Sequence, residues 1–304
     1  MEAFCHKATA TEKKFRYTRE KQQKTTMIKQ HIREYLLPCA FNAAVRAGAE
    51  IMKVYRSNSA DLNIEIKSDN TPLIIADRLA HNKIKEVLGE TRIPVLSEEG
   101  REMCYDERKN WEMFWLIDPL DGTIEFIKGN NEFTVNIALM SENECVGAVI
   151  YVPYLGKAYF AEQGGGAMLL QGIEPSETAH YTNEEIRMHA QTLPLSVAQH
   201  DKFRIAVSRS HQTAETAEYI DNMRQLHNEV EVIEQGSSYK FCLMAEGEID
   251  YYPRTTTTYE WDTAAAELIL VESGGVVRTL PDHRSLRYNK VDLHNPWFEC
   301  HRFK

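Results

Sequence analysis

The stretch Phe114-Trp-Leu-Ile-Asp118-Pro119-Leu120-Asp121-Gly122-Thr123 decides how the rest of this chain is read. Its apolar half predicts a buried strand that ends at a carboxylate followed at once by proline. Pro119 bends the chain straight after that strand. A second carboxylate stands three residues on, and Gly-Thr opens a short helix. Two carboxylates at such a bend offer oxygen ligands to a hard cation such as magnesium, beside amides able to hold a phosphate. Taken alone, the same residues also fit a solvated Asp-Pro turn with a helix N-cap.

The spacing separates this stretch from the haloacid-dehalogenase pattern D-x-D-G-T, whose first aspartate is a covalent nucleophile. Here one extra residue parts the carboxylates, which favours convergence on metal with water as the nucleophile.

With 304 residues, 43% of them apolar, the chain can bury one large core or two joined lobes. A net charge of −10 argues against nucleic acid as the main partner, because phosphate backbones attract basic faces. A small phosphorylated ligand remains compatible, since bound metal inverts the local field. Six cysteines (Cys5, Cys39, Cys104, Cys145, Cys242, Cys300) are scattered with no C-x-x-C pair, as in a cytoplasmic protein with reduced thiols. No apolar run approaches the roughly 20 residues of a transmembrane segment, and no signal-peptide core opens the chain. Residues 1–26 hold seven Lys/Arg against three Asp/Glu and predict a disordered basic tail. Contact with the inner membrane or an acidic partner is the alternative for that tail, and Met27 is a candidate native start.

Working outward, Ala40, Ala44, Ala47, Ile51 and Val54 recur at helical spacing. Leu62, Ile64 and Ile66 alternate as a strand and lead through Lys67-Ser-Asp-Asn-Thr-Pro72 to an amphipathic helix from Asp77. Ile93 to Leu96 predicts a strand delivering Ser97-Glu98-Glu99-Gly100. Strands follow at 133–140, 145–152 and 157–161. After a polar connecting segment at 171–199, strands and helices alternate to residue 279. The expected organisation is an α+β lobe over 27–165, with most of the candidate ligands, and an α/β lobe over 200–304 that contributes Asp262. The oligomeric state is left open.

Glu98 supplies a third carboxylate at a strand end, although a Glu-Glu pair alone is an ordinary solvated turn. Asp262, in Glu260-Trp-Asp-Thr-Ala-Ala-Ala, and Asp77 each stand at a helix start, where an N-cap worth about 1 kcal/mol is the plain reading. Four such sites together at element ends favour chemistry over caps.

The set Lys67-Ser-Asp-Asn-Thr-Pro with Ala76-Asp77, Leu96-Ser-Glu-Glu, Trp115 to Thr123, and Trp261-Asp-Thr-Ala-Ala resembles the inositol monophosphatase superfamily, from about residue 28 to the C-terminus. Glu125-Phe-Ile-Lys128, Glu132 to Leu139, Ser208-Arg-Ser-His211, Gly236 to Gly247 and Tyr252-Pro-Arg254 resemble its CysQ-type branch of 3′(2′),5′-bisphosphate nucleotidases. The resemblance implies a layered αβαβα sandwich of the inositol monophosphatase/sugar phosphatase type. It also implies lithium-sensitive, magnesium-dependent removal of the 3′-phosphate from adenosine 3′,5′-bisphosphate, a by-product of sulfate assimilation, with 3′-phosphoadenylyl sulfate a further substrate.

Carried over by position, Glu98, Asp118 and the Leu120 carbonyl match one magnesium site, and Asp118, Asp121 and Asp262 a second. A third, weaker ion falls near Glu98 and Asp77. Asp77 and Thr123 match the pair that orients and deprotonates water, with Glu98 counted among the catalytic carboxylates. Substrate contacts fall on Leu120, Asp121, Gly122, Thr123 and Asp262, and on the nucleoside side on Gly236, Ser237, Lys240 and Arg254. Two positions depart from the pattern: Ile124 replaces the usual Lys after Asp-Gly-Thr, and Ile74 replaces a small residue. Rival readings are inositol monophosphatase or fructose-1,6-bisphosphatase activity, and a phosphonucleotide sensor without turnover. Arg209 is expected in a structural salt bridge, and Trp111, Trp115, Trp261 and Trp297 in the core or between lobes.

Overall fold

The computed structural model describes residues 26–57, 64–66 and 72–303. Residues 1–25 of the tail expected over 1–26, and the Lys67 to Thr71 part of the motif before Asp77, lie outside these residues, as do Leu62 and the side chain of Ile74. Thr26, the last residue of that tail, is helical and corrects the expectation there.

Helical backbone begins at residue 26, and a π-helical turn, Ile32–Leu36, leads into α1 (Leu37–Arg56). Pro38, which has no N–H to donate, stands just after the π-turn, where the hydrogen-bond ladder of the preceding helical residues is already irregular. Helix α1 buries Ala40, Ala44, Ala47 and Ile51. An antiparallel hairpin of β1 (Ile64–Ile66) and β2 (Pro72–Ile74) precedes α2 (Ile75–Gly89). Strand β3 (Val95–Ser97), a short α3 (Tyr105–Arg108), β4 (Met113–Asp121) and α4 (Thr123–Lys128) follow. Next come β5 (Thr134–Ser141), β6 (Glu144–Val152), β7 (Lys157–Glu162) and β8 (Gly166–Gln171). The polar stretch at 171–199 contains α5 (Asn183–Met188) and an edge strand β9 (Gln191–Thr192). These strands form a sheet in the order β3-β4-β5-β6-β7-β8-β9, antiparallel except for the β3–β4 pair.

A second sheet is built from β10 (Phe203–Ser208), α6 (Ala214–Leu226), β11 (Val230–Gln235), α7 (Tyr239–Glu246), β12 (Tyr251–Arg254), α8 (Glu260–Glu272), β13 (Val276–Thr279) and β14 (Phe298–His301). Its order is β11-β10-β12-β14-β13, with β10 parallel to β11 and β12. Strand β14, which the sequence does not predict, runs antiparallel between β12 and β13.

Strand alternation divides the first sheet's side chains between two cores. Trp115, Ile117, Val135, Ile137 and Tyr151 pack with α1 and α2. Phe114, Leu116, Met140, Ile150 and Tyr159 pack with α7, α8 and one face of the second sheet, through Tyr252, Val277 and Phe298. Ile205, Val207 and Tyr251 on its other face meet Tyr219, Ile220 and Met223 of α6. The layers therefore run helix, sheet, helix, sheet, helix, the αβαβα sandwich implied by the family resemblance. Parallel β3 and β4 end beside the C-terminal ends of β10 and β12 and the N-termini of α7 and α8, and a cavity opens there.

Candidate active site

The opening motif forms the last turn of β4 and the entry to α4. Its ladder with β5 pairs Asp118 with Asn136 and Asp121 with Thr134, so three steps on β4 meet two on β5. That bulge falls at Pro119 and Leu120, where proline cannot donate to the ladder. The Leu120 N–H turns back to Asp118 Oδ1 at 3.1 Å, and the Thr123 hydroxyl donates to the Leu120 carbonyl at 3.3 Å. Gly122 is left-handed at φ +89°. A Cβ there would also stand 3.0 Å from the Glu132 carbonyl oxygen, so only glycine fits.

Each candidate acid is brought in by a different element. Ser97 pairs with Ile117, and the Glu98 N–H donates to Ile117 O at 3.2 Å, which sets Glu98 beside Asp118. Asp121 takes three hydrogen bonds on Oδ2, from the Ser238 N–H, Asn136 Nδ2 at 3.3 Å and Thr134 Oγ1 at 3.4 Å. Asp262 lies in the first turn of α8, as N3 of a capping box rather than the N-cap, and Oδ2 accepts from the Tyr259 N–H at 2.8 Å. Asp77 is buried in the first turn of α2 and near enough to Asp118 to act on its charge.

Electrostatics bind these acids into one unit. Burial pushes the Asp118 carboxyl well above the usual range, and Glu98, Asp121, Asp262 and Asp77 add to it. Asp262 is raised well above its ordinary value by burial, then by Asp121 and Glu98. Asp121 is raised by burial, against which Lys240 and the Ser238 amide pull down. Crowded carboxylates away from water hold protons, and a cation among them reverses that preference.

The candidate donors, Glu98, Asp118, Asp121, Asp262 and the Leu120 carbonyl, are all oxygen. That chemistry fits magnesium. Among the described residues no three His, Cys, Asp or Glu side chains form a preassembled metal-holding cluster. Asp118, Asp121 and Asp262 each spend an oxygen on a backbone amide, so the fit lies in donor type and charge.

The cavity, about 320 Å³, is lined by all of the sequence-predicted residues except Asp77 and Gly236. A larger hollow of about 580 Å³ lies at the opposite end of the second sheet, but its Asp250 is paired with Arg302 at 3.2 Å. Size does not single out the site; chemistry does.

Facing the acids are Lys240 and Arg254. Lys240 is buried, donates to Gln235 O at 3.1 Å and Ser237 O at 2.7 Å, and sits 5.2 Å from the Tyr252 ring centroid. Burial, with Arg254 alongside, lowers it to about 8 although Asp121 pulls the other way. Arg254 reaches Thr257 O at 3.4 Å. Ser237 is left-handed at φ +50°. Gly236 stands behind the wall, where a Cβ would lie 2.3 Å from Glu125 Cγ.

Ile124 lines the cavity, an apolar side chain at the position where the resemblance implies a lysine. Arg209 pairs with Glu132 as the sequence suggests, bidentate at 2.9 and 2.7 Å. Trp115 is core, but Trp297 is 43% exposed and corrects the expectation for it: the chain turns there into β14, whose buried residues are Phe298 and Cys300. Sequence reasoning missed Thr134, Asn136 and Ser238, which hold Asp121. Asn136 carried a signal, a lone amide inside the apolar run from Phe133 to Met140.

A sequence profile described as the inositol monophosphatase family matches residues 32–298. The 3′(2′),5′-bisphosphate nucleotidase CysQ of Salmonella typhimurium is 38% identical over 77% of this chain and 86% of its own length. The Haemophilus influenzae protein of the same name is 33% identical over 88% and 93%. Among solved structures, CysQ from Bacteroides thetaiotaomicron matches with a TM-score of 0.78 and 45% identity, covering 86% of this chain and 95% of that one. With the layering and the acid cluster in place, the chain belongs to the inositol monophosphatase family of metal-dependent phosphatases.

Proposed function

We propose that this protein is a magnesium-dependent phosphatase that removes the 3′-phosphate from 3′(2′),5′-bisphosphate nucleotides, adenosine 3′,5′-bisphosphate first among them. One observation carries the reading: a buried well of mutually repelling carboxylates shares its cavity with the cations Lys240 and Arg254. An inositol monophosphate has no second phosphate to meet those cations, whereas a bisphosphate nucleotide does. The CysQ relatives support the same substrate class.

Magnesium, when bound, would neutralise the well and stabilise charge on the entering and leaving oxygens of an in-line displacement. In this reading Glu98, Asp118 and the Leu120 carbonyl would hold one ion and Asp118, Asp121 and Asp262 a second, and a weaker third would fall to Glu98 and Asp77. The Thr123 hydroxyl, backed by Asp77, orients the attacking water and passes its proton toward the Asp77 carboxylate. The Gly122 and Thr123 amides receive the phosphate at the start of α4. Ser237, Lys240 and Arg254 hold the nucleoside side, with Gly236 shaping the turn behind them.

Phosphate release with and without magnesium tests the reading. The panel is adenosine 3′,5′-bisphosphate, 3′-phosphoadenylyl sulfate, inositol 1-phosphate and fructose 1,6-bisphosphate. The expected result is metal-dependent release, fastest from the bisphosphate nucleotide. Faster turnover of inositol 1-phosphate sinks the substrate class, and tight nucleotide binding without release makes the protein a sensor.

A further inference from the structure

Asp121 is held from two directions, and one residue outside the cavity wall joins them. Glu132 lies two residues before Thr134, which pairs with Asp121 across the β4–β5 ladder and bonds to its carboxylate. The Glu132 carboxylate accepts the Gly236 N–H at 2.8 Å. Two residues after Gly236, the Ser238 N–H donates to Asp121. The contacts close a ring: Asp121, Thr134, Glu132, Gly236, Ser238 and back to Asp121. Ser238 Oγ also bonds Thr134 Oγ1 and Asn136 Oδ1, each at 2.7 Å.

Arg209 fixes the carboxylate that closes this ring. Its guanidinium grips both Glu132 oxygens, and Nη2 also donates to Glu234 O at 2.7 Å, on the strand that feeds the 236–238 turn. The Glu132 carbonyl oxygen touches the loop as well, 3.0 Å from where a Gly122 Cβ would be. One residue thus ties the metal-side loop of the first sheet to the turn that enters α7 from the second.

We infer that Glu132, clamped by Arg209, is a positioning residue that aims the Asp121 carboxylate at a divalent cation. It touches neither substrate nor metal, so its work passes through the Ser238 amide and Thr134. Without its carboxylate the Gly236 N–H loses its acceptor, the left-handed Ser237 turn loosens, and the Ser238 amide no longer fixes one Asp121 oxygen while the other faces the cavity. The inference rests on the reading of the acids as metal ligands.

The test is Mn2+ binding without substrate, followed by electron paramagnetic resonance on the full chain. Glu132→Ala should weaken Mn2+ about tenfold or more, the range seen when support behind a metal ligand is lost. Glu132→Gln keeps an acceptor for Gly236 but gives up the ion pair with Arg209, and should weaken binding by more than about twofold but less than Glu132→Ala does. Lys157→Met is the control: it removes an ion pair of 2.9 Å between β7 and Glu246 of α7, away from Asp121, and should leave Mn2+ affinity unchanged. Mn2+ affinity within twofold of wild type in folded Glu132→Ala overturns the inference, as does an equal fall in Lys157→Met. If Glu132→Ala does not fold, Glu132→Gln decides alone, and parity with wild type overturns the inference. Wild-type protein that binds no Mn2+ sinks the metal reading, and this inference with it.

Discussion

The two walls of the cavity differ in how their charges are held. On the acid wall, Asp118 is buried and Asp121 and Asp262 are half-buried, each with an oxygen tied to a backbone amide. On the cation wall, Lys240 and Arg254 spend donors on the carbonyls of Gln235, Ser237 and Thr257. The acid wall pushes its own carboxyls toward the protonated form, so it is incomplete without a cation. The cation wall is weakened in the opposite sense, because burial makes Lys240 a poorer ammonium. Bound metal and a doubly phosphorylated ligand would each relieve one wall. In the proposed reading, a chain with a net charge of −10 would accept an anion only after metal has inverted the local field.

Breaking the acid wall should have the largest effect. Asp121→Asn keeps an oxygen for the Ser238 amide but loses the ligand charge; forfeiting about 4 kcal/mol of charge stabilisation lowers kcat roughly a thousandfold. The sign for stability is the opposite. A carboxyl whose folded pKa is raised costs stability above its unfolded pKa, so the metal-free variant should melt no lower than wild type at pH 7. Calorimetry in chelator checks this, and a much lower melting temperature would make Asp121 a structural group.

Breaking the cation wall should cost less and in a different parameter. Arg254→Ala should raise KM for the bisphosphate nucleotide about ten- to a hundredfold, the worth of a charge-assisted hydrogen bond, with kcat nearly unchanged. Steady-state kinetics on adenosine 3′,5′-bisphosphate decides it, and a fall in kcat alone would move Arg254 to the reacting phosphate.

The smallest effect sharpens the comparison through pH. Lys240 titrates near 8, so its charge is present below that and lost as pH rises through it. At saturating magnesium, where the ion would cancel the upward pull of Asp121, kcat/KM for the bisphosphate should decline by about pH 8, and Lys240→Met should lack that limb. A wild-type profile flat to pH 9.5 would remove Lys240 from anion binding.

Legibility in the sequence followed the range of the interaction. Helix α1 was readable because a small-residue stripe at helical spacing must face a core, and β4 because an apolar run cannot be left in water. Strand β14 was hidden: Phe298 to His301 is four residues long and becomes a strand only because β12 and β13 leave a gap between them. Trp297 misled for the same reason, since a large aromatic next to a strand carries no sign of which face it will take.

The sequence by itself determined the chemistry available: Asp121, Glu98 and Asp262 at element ends, Asp118 before a proline that bends the chain, and a glycine at the one left-handed position in the loop. These are local properties of backbone and side chain, and four separated motifs state them without reference to one another. Only the tertiary structure decided that Thr134, Asn136 and Ser238 converge on one oxygen of Asp121, and that Glu132 joins the two sheets behind it. The contacts of Ser238 with Asp121 and of Gly236 with Glu132 link residues about a hundred positions apart in the chain, and no local preference of any of them encodes a meeting that depends on how two sheets pack.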